Sequence, residues 1–161
     1  MNKRLRSLAL ILLVGFLCSP AMAQISKPGP ELNMLRQIQG MWRSNCYSVE
    51  SGSRYQQTKL VVSFTHFVFT ADEFAEPECR VKRATHKARY RFILRNPFVT
   101  PANIEVFAID FRPEEVSSGF PNLYPLNIVK YESGTLRLGA PPVLETQERL
   151  QRLDRERLFT R

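Results

Sequence analysis

The chain has 161 residues, 43% of them hydrophobic and 11% aromatic, with 23 Lys and Arg against 15 Asp and Glu, a formal net charge of +8. That length supports one domain with a real core. The charge favours anionic partners but is too mild for a nucleic-acid binder, and two histidines without a Cys-x-x-Cys spacing argue against a metal centre or other cofactor.

The opening stretch, MNKRLRSLALILLVGFLCSPAMAQ, sets Lys3, Arg4 and Arg6 before an apolar run at 8–18 and an Ala21-Met22-Ala23 cleavage pattern. This predicts a secretory signal peptide over residues 1–23. An uncleaved anchor is the weaker reading, because the run falls short of the ~20 residues of a membrane helix. Cys18 follows Phe16 and Leu17 instead of a small residue, which speaks against lipidation. Cleavage removes 23 of 161 residues and three of the 23 basic ones, leaving 138 residues at a net charge of +5. No later segment is apolar enough to span a membrane, so the expected location is periplasmic or secreted. Two cysteines remain, Cys46 and Cys79, and an even pair in an exported chain predicts a structural disulfide.

Residues 24–31 form a short leader broken by Pro28-Gly29-Pro30, and 32–161 read as one domain. Leu32, Leu35 and Ile38 predict one or two helical turns ending at Gly40. Residues 41–49 predict a first strand, 50–54 a turn, and 58–64 a strand with Leu60, Val62 and Phe64 on one face. The pattern breaks at Thr65-His66 and resumes at Phe67, which is either one bent strand or, as preferred, a hairpin with His66 at the rim. A turn at 75–78 leads to Cys79. Runs 79–83 and 87–95 predict two strands joined by a turn near Thr85-His86. In the second run Ala88, Tyr90, Phe92 and Leu94 alternate with Lys87, Arg89, Arg91 and Arg95.

Pro97 and Pro101 predict a loop at 96–103, followed by a strand at 104–112 and a long rim loop at 113–125. Strands at 126–131 and 135–138 flank Glu132-Ser133-Gly134, read as a three-residue hairpin loop with its glycine in the left-handed region. In the last segment, Glu148 and Arg152 suggest a helical pair and 157–160 a closing strand. About eight short strands with turns between them describe an antiparallel barrel or sandwich. Closure of a barrel removes exposed edges and suits a monomer.

These residues resemble a family. The order is a short helix; Gly40-Met41-Trp42 with Cys46 just after; an aromatic strand into a turn; Phe74 to Cys79; Ile109-Asp110; the hairpin from Ile128 to Gly139; and a finish from Leu153 to Arg161. Together they are similar to the small secreted lipocalin-like barrels of bacteria and, more distantly, to the cysteine-paired domain of an animal extracellular Wnt inhibitor. The resemblance implies an all-β fold, an eight-stranded antiparallel up-and-down barrel with a short N-terminal helix. It also implies that Trp42 packs at one barrel end against Arg157 or Arg161. The loop at 113–125 has no family signature.

Enzymatic motifs are absent: no G-x-S-x-G, no phosphate loop, no H-E-x-x-H. The expected function is therefore non-enzymatic: binding a small apolar or amphipathic ligand inside the barrel, lined by Phe64, Tyr90, Phe92, Phe107 and Phe111. Eight-stranded barrels also fill with side chains, and eleven Phe with few strand glycines favour a nearly filled core. The alternative is an interaction protein using a basic outer stripe, Arg80, Lys82, Arg83, Lys87, Arg89 and Arg91. Like charges would face each other across the 79–95 hairpin, relieved by a neighbouring carboxylate such as Glu105 or by an anionic envelope component.

Overall fold

The structure, a computed structural model, describes residues 28–49, 54–120, 123–140 and 148–161. The expected signal peptide, the first half of the expected leader (residues 24–27) and all but Arg54 of the expected turn at 50–54 lie outside the described residues.

Helix α1 (Pro30–Ile38) begins at a proline whose missing N–H costs nothing there, with Glu31 in its first turn and Arg36 in its last. Its buried residues are Met34 and Ile38, with Leu35 packed beside them, while Leu32 is exposed. A spacing of three drifts about 60° backwards around a helix at each step, so the Leu32-Leu35-Ile38 face expected from the sequence gives way to an i,i+4 pair.

The expected first strand is broken in two, β1 (Gly40–Ser44) and β2 (Tyr47–Val49). Gly40 sits at φ +117°, which explains why a glycine ends the helix connection. At the break, Asn45 is stitched to the last segment: its Nδ2 donates to the Glu156 carbonyl at 2.7 Å and its Oδ1 accepts from the Leu158 N–H at 2.9 Å. Beside it, Cys46 is joined to Cys79 across 33 positions. Closing a loop of that length stabilises by about 3.7 kcal/mol in the chain-entropy account.

Strands β3 (Arg54–Val62) and β4 (His66–Phe74) form the expected hairpin, turning at Ser63-Phe64-Thr65. Weak turn formers suffice because the Ser63 hydroxyl accepts from the backbone N–H groups of Thr65 and His66. Since β3 stops at Val62, Phe64 stands outside the barrel, 60% exposed. Its place with Leu60 and Val62 on the inner face is thereby corrected.

Three further expectations are overturned downstream. No turn forms at Thr85-His86, because β5 (Lys82–Val99) is one continuous strand pairing β4 on one side and β6 (Glu105–Val116) on the other. Pro97 lies inside β5, at an irregularity in the ladder where its missing N–H is tolerated. Pro113 likewise lies inside β6, so the supposed rim loop at 113–125 starts late, at Ser117. His86 is therefore a strand residue, with Nδ1 3.0 Å from the Ser118 carbonyl and Nε2 3.3 Å from Glu73 Oε2. Its ring lies where a Cβ on Gly119 (φ +85°) would stand 2.6 Å away, so only glycine fits.

Strands β7 (Leu126–Glu132) and β8 (Thr135–Ala140) pair Glu132 with Thr135 around a two-residue loop, Ser133 at φ 49° and Gly134 at φ 80°. Two left-handed residues make this a type I′ turn in place of the three-residue loop. The helical reading of Glu148 and Arg152 fails: Arg152 belongs to β9 (Arg152–Leu153), which pairs with β8. Strand β10 (Phe159–Thr160) then pairs with both β8 and β1 and closes the circle.

Counting β1 and β2 as one broken stave and leaving out β9, which pairs only with β8, the result is a closed eight-stranded antiparallel barrel whose staves follow one another in sequence, with a single short helix among the described residues. The inner core runs from Met34 and Ile38 under one end, through Trp42, Phe67, Phe69, Tyr90, Phe92 and Phe111, to Phe120. A second, smaller core lies on the outer side of β6 and β7, where Leu150 packs on Val106 and Ile128.

Candidate binding surface

The barrel interior is filled by aromatic rings. Phe67 meets Phe92 at 4.8 Å and Phe111 at 5.2 Å, and Tyr90 meets Phe111 at 5.7 Å, all edge-on. Phe69 touches both Tyr90 and Phe120. Edge-to-face contacts at these distances are the geometry of a packed aromatic core. Of the five residues expected to line a ligand cavity, Tyr90, Phe92 and Phe111 thus belong to this stack, Phe107 is half-buried against it, and Phe64 is outside. Burial raises the Tyr90 hydroxyl above its ordinary pKa, partly offset by the Leu123 N–H it accepts.

At the helix end, the Trp42 indole N–H donates to the Ile38 carbonyl at 2.7 Å. Arg161 lies over its ring, 4.6 Å from the centroid, and donates to the carbonyls of Gln37 and Gln39. The other arginine considered for this place, Arg157, is elsewhere. Its guanidinium sits over the rings of Tyr47 and Phe159, at 5.6 and 5.8 Å.

The basic stripe is on the outer wall, and three of its six charges, Lys82, Arg89 and Arg91, are compensated by carboxylates. Without a hairpin at 79–95, the cations of β5 face strands β4 and β6. Glu114 takes Arg91 at 3.0 Å, Arg89 at 3.2 Å and His66 at 3.0 Å; Lys82 pairs with Asp72 at 3.5 Å. The compensating carboxylates are thus Glu114 and Asp72, not Glu105. Farther along, Asp110 bridges Arg95 at 2.9 Å and Arg149 at 2.5 Å, and Arg149 also donates to the carbonyls of Ile109 and Asn127. Burial pushes the Asp110 carboxyl upward, but the hydrogen bonds from Arg149 and Arg95 outweigh it and leave the pKa below its ordinary value. Arg80 and Lys87 have no ion-pair partner among the described residues.

His66 acquires partners that its sequence neighbourhood did not announce. Its Nδ1 is 2.7 Å from the Thr65 hydroxyl and its Nε2 faces Glu114. A hydroxyl–imidazole–carboxylate line is one ingredient of nucleophilic catalysis. Here the hydroxyl stands on an exposed turn and the carboxylate is shared with two arginines, Arg89 and Arg91, which is the arrangement of a surface ion-pair network.

A further row of uncompensated cations lies one wall over. In the ladder, Arg43 of β1 is directly opposite Lys59 of β3, Lys59 is opposite Thr70 of β4, and Thr70 is opposite Lys87 of β5. All four point outward. Arg43 donates to Gln57 at 2.6 Å, but Arg43, Lys59 and Lys87 carry no ion pair among the described residues. A groove of about 470 Å³ opens at the Arg43–Lys59 end of this row, lined by Met41, Trp42, Arg43, Gln57, Lys59, Asp72, Thr160 and Arg161. Its one carboxylate, Asp72, is held by the Thr85 hydroxyl at 2.6 Å and by Lys82. Alternation within each strand marked these side chains as outward-facing, but nothing in the sequence marked them as one row. Compared with known protein families, curated proteins and solved structures, the chain matches none.

Proposed function

We propose that this is an exported, non-enzymatic binding protein whose working surface is the outer β1–β3–β4 wall, and that its partner is anionic. The observation that carries this reading is the Arg43–Lys59 pair. Two like charges directly opposite in a sheet destabilise it, and among the described residues neither has an ion pair to relieve it. An anion seated in the adjoining groove turns that repulsion into binding energy. Export is supported by the Cys46–Cys79 disulfide, which needs an oxidising compartment. Titration with a soluble polyanion, dextran sulfate, tests the reading. Binding should weaken as salt rises and fall at least tenfold in Arg43→Glu/Lys59→Glu. Indifference of binding to that double substitution would overturn it.

A second reading, an amphipathic small ligand held at the disulfide end of the barrel, has one observation in its favour. Arg157 is only 11% exposed there, and its Nε, 3.4 Å from Asp154, makes no hydrogen bond. Next to it, Tyr47, Gln56 and Thr58 form a buried polar group, with the Tyr47 hydroxyl 3.1 Å from Gln56 Oε1 and 2.9 Å from Thr58 Oγ1. A ligand carboxylate is the natural complement of such a guanidinium. Native mass spectrometry of protein purified from its host should then show a bound anion that is absent from Arg157→Gln; repeated absence of any bound species counts against this reading.

A further inference from the structure

The cation row has an apolar counterpart. Met41 of β1 is opposite Val61 of β3, and Val61 is opposite Val68 of β4, so three apolar side chains form a second outward row parallel to Arg43, Lys59, Thr70 and Lys87. These side chains are exposed, Met41 by 64% and Val61 and Val68 by 37% each. Successive outward residues on a strand are about 6.8 Å apart, so the two rows run side by side at about that separation. Beyond the apolar row, at the tip of the β3–β4 hairpin, stands Phe64, 60% exposed. The wall is thus graded along the strands: an aromatic tip, an aliphatic row, then a cationic row about 14 Å wide.

Deepening the reading above and resting on it, we propose that the anionic partner is a lipid surface. In this docking, Phe64, Met41, Val61 and Val68 enter the acyl boundary, and Arg43, Lys59 and Lys87 meet the headgroup phosphates. An amphipathic surface buries its apolar side chains about 5–10 Å into that boundary, which matches the offset between the rows. A soluble polyanion needs the cations alone and leaves the exposed apolar row without a role. A lipid surface uses both, and it accounts for their order, with the apolar groups ahead of the charges. Long side chains such as Lys59 and Arg43 also reach back towards the phosphates while their stems stay among the apolar groups.

The disulfide-bonded protein should co-sediment with vesicles of equal phosphatidylglycerol and phosphatidylcholine, and not with pure phosphatidylcholine. Arg43→Glu/Lys59→Glu should lose at least 25-fold in vesicle affinity, about fivefold for each cation removed, and should lose dextran sulfate as well. Phe64→Ser/Val68→Thr, at two exposed positions outside the groove, should lose at least fivefold on vesicles while keeping its dextran sulfate affinity and its melting temperature. Dextran sulfate binding without vesicle binding would overturn the lipid surface and leave the anionic reading standing. Vesicle binding indifferent to Phe64→Ser/Val68→Thr would do the same. Binding to neither probe would remove both.

Discussion

Two stretches of the same outer wall carry similar numbers of cations and behave differently. On β5 and β6, Arg89, Arg91 and Arg95 are matched by Glu114 and Asp110, so the field they project is small. On β1 and β3, Arg43 and Lys59 face each other with no carboxylate paired to either. The richer basic run in the sequence is therefore quieter only where Arg89, Arg91 and Arg95 are paired; Arg80, Arg83 and Lys87 in it, and Arg112 opposite Arg91, carry no ion pair among the described residues. What makes a charged surface available to a partner is the charge left after neighbouring strands have been counted, and that depends on register.

The contrast can be broken at its most buried point first. Asp110→Asn should remove a carboxylate held between two arginines and cost about 2–3 kcal/mol in urea unfolding, since it leaves Arg149, which clamps the 148–153 segment, without its counter-ion. The pH dependence follows from the same group. Its native pKa is depressed, so its contribution is fully present above the ordinary value near 3.8 and is lost as pH falls below it. Acid unfolding of Asp110→Asn should therefore be flatter in that range than that of the parent protein. Next in size is the loss of at least tenfold in dextran sulfate affinity, about 1.4 kcal/mol, in Arg43→Glu/Lys59→Glu, measured by fluorescence titration.

Glu114→Gln should convert the quiet region into an active one. It frees Arg89 and Arg91, and polyanion affinity should rise about fivefold while stability changes by less than about 1 kcal/mol, as for other exposed pairs. The smallest effect sharpens the contrast: Arg89→Ala, which removes a compensated cation, should change dextran sulfate affinity by less than about twofold. A drop as large as that of an Arg43 variant would mean that the two stretches are equivalent after all.

Much of the barrel was legible from local pattern. Strict alternation placed Ala88, Tyr90 and Phe92 inside and Lys87, Arg89 and Arg91 outside, because the side-chain period of a strand is two whatever its partners are. Prolines misled where ladder irregularities accommodate them, at Pro97 and Pro113, so two strands are longer than their punctuation suggested. Phe64 misled for a related reason: the Ser63 hydroxyl makes a turn out of residues with little turn preference of their own. The candidate surface was the least legible part. Arg43 and Lys59 are 16 positions apart, and only the pairing of β1 with β3 sets them face to face.

By itself, the sequence determined the all-β class, the approximate number of strands, the inward and outward faces within most of them, and which two cysteines were available to pair. Those properties reside in short stretches of chain, where the periodicity of side chains and the count of thiols are sufficient. Only the tertiary structure decided that residues 82–95 belong to one long strand, that Arg161 and not Arg157 covers Trp42, that the aromatic residues touch one another across the barrel, and which cations meet a carboxylate. Each of these depends on the register between strands and on barrel closure. A shift of one residue would turn every side chain of a strand to the other face, and no local window of sequence contains that information.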